Sequence, residues 1–203
     1  MEKKLGIISG FGNYKSVANL IGYLKKDFIE IVSPGDMDEC THIIFPGVGS
    51  YIGVLNQLKK KNLIDSLKKN ILINKKYFLG ICVGMQILST FGYEDKKCEG
   101  LNLIKGTTEK IKVKHNRLPN MGWHHVIQKK NSILFNNINS SECFYFLHSF
   151  HFNPKKKSVI SGEIIYENKI VASIENENIF GVQFHPEKSQ NAGIQLLNNF
   201  INF

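Results

Sequence analysis

Arginine is almost missing from this chain: Arg117 is the only one among 26 basic residues. A net charge of +9 would by itself suggest a nucleic-acid binder, but base and phosphate recognition leans on the bidentate guanidinium fork. Lysine runs such as Lys59-Lys60-Lys61 and Lys155-Lys156-Lys157 read instead as solvated faces, so no nucleic-acid partner is expected. Long apolar runs are lacking too. No stretch approaches the roughly 18 residues of a membrane span, and the N-terminus has no continuous apolar segment of a secretory signal; a cytoplasmic protein without membrane contact is expected. The four cysteines, Cys40, Cys82, Cys98 and Cys143, form no C-x-x-C pair, which argues against a disulfide framework or a zinc site. His124-His125, His148 and His151 stand near no cysteine or carboxylate cluster of ligand spacing, so no metal is expected. Gly10-x-Gly12 is followed by Lys15 where a dinucleotide fingerprint needs its third glycine, and no loop ends in Gly-Lys-Ser/Thr; no cofactor is indicated.

What is present is an alternation of short apolar runs and amphipathic stretches. At 203 residues and 42% hydrophobic content the chain can bury one sizeable core, and a single domain over 1–203 is expected. Leu5-Gly6-Ile7-Ile8, residues 28–32 and residues 42–45 read as strands. Helices are expected over residues 15–25, with Val17, Leu20, Ile21 and Leu24 on one face, and over residues 53–71, with Leu55, Leu58, Leu63, Ile64 and Leu67. This βαβ order predicts an α/β fold with a mostly parallel central sheet and helices on both faces. Beyond Thr107 short strands take over, including Phe144-Tyr145-Phe146-Leu147 and residues 158–166, 170–174 and 179–184, which predicts a mixed or antiparallel extension of that sheet. A final helix is expected over residues 190–201, striped by Ile194, Leu197 and Ile201.

The chemistry concentrates in Gly80-Ile81-Cys82-Val83-Gly84, a thiol version of the strained strand-to-helix nucleophile turn. Tyr77 to Ile81 is the strand, Met85 to Leu88 starts a helix, and the flanking glycines permit the sharp bend. A cysteine at a helix N-terminus is favoured as the reactive thiolate. Phe180-Gly181-Val182-Gln183-Phe184-His185-Pro186-Glu187 supplies the partners. Pro186 holds His185 extended, and in an extended chain residues two apart face one way. Glu187 would then orient the imidazole while His185 exchanges a proton with Cys82 and a leaving amine. An oxyanion hole is expected from the Val83 amide and from Gly47, Val48 and Gly49, in the loop that follows the strand Ile43-Ile44-Phe45.

Gly80 to Gln86 together with His185-Pro186-Glu187 resembles the class I glutamine amidotransferases. Pro46-Gly47-Val48-Gly49-Ser50, Pro119-Asn120-Met121-Gly122-Trp123, Phe144 to Ser149 and Gly181 to Ser189 are similar, in order and nearly end to end, to the glutaminase subunits of imidazole glycerol phosphate synthases. The resemblance implies a flavodoxin-like amidotransferase fold and hydrolysis of L-glutamine to glutamate and ammonia through a thioester on Cys82. It gives His185 the part of base and then acid, Gln86, His148, Ser149 and Phe150 the substrate, and residues 46–49 the oxyanion strand. It also implies transfer of ammonia to a (β/α)8-barrel cyclase subunit, with Asn13, Asn120, Trp123 and Lys188 on the side facing that barrel. Ile8 and Ser9 stand where the family has an Asp-Tyr pair, and His124 replaces a common Asn. These departures keep a second pathway open, in which a paralogous subunit feeds ammonia into amidination of a surface-polysaccharide sugar.

Overall fold

The computed structural model of the protein describes residues 3–129 and 131–203. In chain order its elements begin with β1 (Leu5–Ile8), α1 (Tyr14–Tyr23), β2 (Phe28–Ile31), β3 (His42–Gly47), α2 (Tyr51–Lys60), α3 (Leu63–Lys68), β4 (Tyr77–Cys82) and α4 (Val83–Gln86). They continue with β5 (Phe91–Gly92), β6 (Cys98–Glu99), β7 (Gly106–Lys110), β8 (Asn120–His125), β9 (Ile127–Gln128), β10 (Cys143–His148) and β11 (Phe150–Pro154). The last are β12 (Ile160–Tyr166), β13 (Asn168–Asn176), β14 (Ile179–Val182) and α5 (Gln190–Asn202).

The main sheet has eight strands in the order β2-β1-β3-β4-β14-β13-β12-β9. Neighbours from β2 through β14 run parallel, and β13, β12 and β9 extend the sheet antiparallel. The inner parallel strands are largely apolar because they are buried, with every residue of β1, β3 and β14 inside, whereas the edge strand β2 exposes Glu30. Their carboxyl ends, at Ile8, Gly47, Cys82 and Val182, line up along one edge, the edge where open α/β sheets place ligands. Phe180 of β14 stacks edge-on against Phe200 of α5, which seats the closing helix on the sheet.

Several expectations need correction. The helix expected over residues 53–71 is broken: α2 ends at Lys60, Asn62 takes a left-handed φ of 56°, and α3 runs into a π-helical turn at Lys69–Ile73. An apolar stripe carries no mark of such a break, and asparagine tolerates that backbone better than most residues. The helix behind Cys82 is a single turn, α4. Phe144 to Leu147 does not join the extension. It lies in β10, which pairs with β8 as a separate antiparallel ribbon, and a four-stranded sheet, β11-β7-β5-β6, stands beside it.

Candidate active site

Cys82 ends β4 and precedes α4 with φ 54° and ψ −111°, a conformation that residues with a side chain adopt only where the surroundings enforce it. The surroundings here are backbone. A Cβ on Gly80 would lie 2.4 Å from the Gly84 carbonyl oxygen, and one on Gly84 would lie 2.5 Å from that of Phe45. The two glycines of the motif thus let strand, turn and the neighbouring β3 close on one another, and they fix the cysteine at the bend.

His185 is extended, φ −104° and ψ 96°, as expected of a residue before proline, but the chain does not stay extended as far as Glu187. The strand ends at Val182, Phe184 packs against Phe144 and Phe146, and the His185 amide donates to the Tyr145 carbonyl at 2.9 Å. Pro186 then opens a 3-10 turn, Pro186–Lys188. It is this turn that folds Glu187 back, with its Oε1 at 2.8 Å from His185 Nδ1. The Glu187 side chain is wholly buried. Asn13, expected on the partner side, lines the cavity and also serves this pair: with a left-handed backbone, it donates from Nδ2 to Glu187 Oε1 at 2.9 Å.

Burial works against a charge on His185, but hydrogen bonds to Cys82 and then to Glu187 outweigh it, and the imidazole pKa rises to about 10. Imidazole and carboxylate are hydrogen-bonded to each other, the raised pKa keeps the ring cationic at neutral pH, and the Cys82 sulfur lines the same cavity as the ring. Gln183 approaches the sulfur from the other side, its Nε2 donating to Sγ at 3.6 Å.

A cavity of about 340 Å³ opens over this group. Val48, Gly49 and Val83 line it, as do Gln86, His148, Ser149 and Phe150, beside Cys82 and His185. Gly47 is absent from the lining. It pairs with Cys82 across β3 and β4, and a Cβ there would meet the Gly84 nitrogen at 2.4 Å, so its contribution is close approach beneath the bend. A larger cavity, about 540 Å³, lies among Lys3, Lys26, Asp27 and Glu39 at the opposite ends of the strands and contains none of the motif residues.

Of the residues assigned to the partner side, Trp123 is 46% exposed and meets Tyr145 edge-to-face, and the Lys188 ammonium lies over the same tyrosine ring. Asn120 does not belong with them. It is fully buried, with Nδ2 at 3.0 Å from His148 Nε2, because alternation along β8 turns it inward while Met121 and Trp123 face out. Glu94, Pro119 and Leu147 also line the cavity and were missed, along with the Gln183 contact to sulfur. Gln183 lay inside a block already singled out, two positions before His185; a lone glutamate such as Glu94 gives no signal of spacing.

Comparison with known proteins follows the same lines. Residues 7–203 match the family model for glutamine amidotransferase class-I. The chain is 39% identical over 197 residues to imidazole glycerol phosphate synthase subunit HisH of Pelagibacter ubique (strain HTCC1062), covering 94% of this chain and 95% of that one. It is 40% identical over 190 residues to subunit HisH 1 of Campylobacter jejuni subsp. jejuni serotype O:23/36 (strain 81-176), covering 93% and 94%. A crystal structure of a glutamine amidotransferase shares the fold with a TM-score of 0.77 at 14% identity, over 98% of this chain and 97% of that one.

Proposed function

Because the chain belongs to the class-I glutamine amidotransferase family, we propose that its single domain is the glutaminase subunit of an imidazole glycerol phosphate synthase. It hydrolyses L-glutamine and passes the ammonia to a (β/α)8-barrel cyclase subunit for histidine biosynthesis, and works in the cytoplasm. Near full-length identity to two synthase subunits favours this pathway over amidination of a sugar.

The observation that carries the reading is the hydrogen-bonded pair His185 and Glu187 beside a cavity that Cys82 and His185 both line. With the proton on His185, the Cys82 sulfur attacks the side-chain amide carbon of glutamine. The C–N bond breaks, and His185 gives its proton to the leaving nitrogen, releasing ammonia. His185 then takes a proton from water as that water attacks the thioester, and keeps it when glutamate leaves, which restores the starting state. Glu187 keeps Nδ1 of the ring engaged throughout. The Val83 amide, with Val48 and Gly49 lining the same cavity, receives the oxyanion in this reading. Gln86, His148, Ser149 and Phe150 form the wall for the amino-acid end.

Cys82→Ala tests this directly. The complex should lose glutamine-dependent synthesis and keep synthesis supported by added ammonium salt. Unchanged use of glutamine would refute the assignment of the nucleophile.

A further inference from the structure

We infer that His124 and Asn120 are positioning residues for the glutamine pocket, acting through a chain of hydrogen bonds with fixed donors and acceptors that runs from the partly exposed ring of His124 to the Phe150 carbonyl, where Gln86 meets it from the side of the nucleophile. The inference rests on the glutaminase reading above and extends it to residues outside the cavity.

The direction of the chain follows from one fixed point. The Phe150 carbonyl can only accept, so His148 Nδ1, 2.8 Å away, must donate to it. His148 is 6% exposed, and burial pushes its pKa down to about 4, so the ring is neutral and its Nε2 can only accept. Asn120 must then turn its NH2 toward that nitrogen, at 3.0 Å. This leaves Asn120 Oδ1 facing His124 Nε2 at 2.8 Å, and that nitrogen in turn has to donate. Beyond Phe150 the chain continues: Gln86 Nε2 donates to the same carbonyl at 2.8 Å and to Gln183 Oε1 at 3.0 Å, and Gln183 Nε2 reaches the Cys82 sulfur. Every group has one permissible role, and His124 supplies the donor at the outer end. Without it the Asn120 oxygen is buried unpaired, and the amide loses its reason to prefer the orientation that holds His148 against Phe150.

The competing account is that His124 only packs, since its ring meets Phe146 and Tyr166 edge-to-face. Two substitutions separate donor from ring. His124→Phe keeps a ring and removes the donor; His124→Gln removes the ring and keeps an N–H at similar reach. In the assembled complex, His124→Phe should raise KM for glutamine about fivefold, the cost of one hydrogen bond, with kcat little changed, and His124→Gln should restore it. The reverse order, or no effect of either, overturns the inference. A second measurement decides the matter even if the ring variant folds poorly. Asn120→Asp, once ionised, presents only acceptors, so above the pH at which its carboxyl titrates by 13C NMR His148 should carry protons on both nitrogens, visible as an imidazolium in 15N NMR of the full chain. A His148 ring that stays neutral overturns the inference. Because this readout needs no turnover, failure of the glutaminase reading itself would appear separately, as absence of glutamine hydrolysis with the NMR signature intact.

Discussion

His185 is buried, yet it is the residue on which charge accumulates. A ring 3% exposed would ordinarily shed its proton, and it keeps it here because the Cys82 thiol beside it and the hydrogen-bonded Glu187 carboxylate favour the charged form, with Asn13 holding the carboxylate in place. The consequence for stability has a definite sign. The folded pKa, about 10, lies above the ordinary value of 6.5. The proton therefore stabilises the fold fully below about pH 6.5, and that contribution fades as pH rises through 10. The urea midpoint of the wild-type chain should fall between pH 7 and pH 10, and His185→Gln should show a shallower fall; parallel slopes would contradict the linkage. At this scale the sequence was legible in part. A thiol elbow and an H-P-E turn declare complementary chemistry, so Cys82, His185 and Glu187 could be grouped without a structure. Asn13 could not, because an asparagine following a Gly-rich turn satisfies the backbone as readily as it serves a distant carboxylate.

The bend between β4 and α4 depends on atoms that side chains would displace. Gly84→Ala sets a methyl 2.5 Å from the Phe45 carbonyl oxygen, a contact that flexible side chains could relieve but backbone cannot. We expect a loss of about 3 kcal/mol, as for a severe case of overpacking, read as a lowered thermal midpoint with unchanged far-UV circular dichroism, and loss of glutaminase activity. An alanine variant of wild-type stability would mean that the bend relaxes more easily than its geometry implies. Elements of the central sheet were readable for a simple reason: strands buried on both faces are apolar without interruption, as in β1 and β14. The break at Asn62 and the pairing of β10 with β8 were not, since an amphipathic stripe passes unchanged through a single left-handed residue and an alternating strand does not announce its neighbour.

At the scale of the whole molecule, the carboxyl ends of four parallel strands bring residues from both ends of the chain to one edge, and the β8-β10 ribbon stands over that edge. Alternation divides the ribbon between two tasks. Asn120, Phe144, Phe146 and His148 are buried, while Met121, Trp123 and Leu147 are 64%, 46% and 39% exposed, Leu147 at the cavity itself. An apolar outer face beside a site that releases ammonia is where a covering partner would keep the product from water, and Trp123 is its largest side chain. Trp is also the residue type that most often dominates an interface, because one side chain removes a large area from water at little entropic cost. Trp123→Ala should therefore weaken association with the barrel subunit by about 2 kcal/mol, measured by titration calorimetry. The melting temperature of the isolated chain should barely move, since the indole contributes only an edge contact to Tyr145. If the variant melted early and bound its partner normally, Trp123 would belong to the packing of the ribbon, and the covering surface would have to be sought elsewhere on the edge.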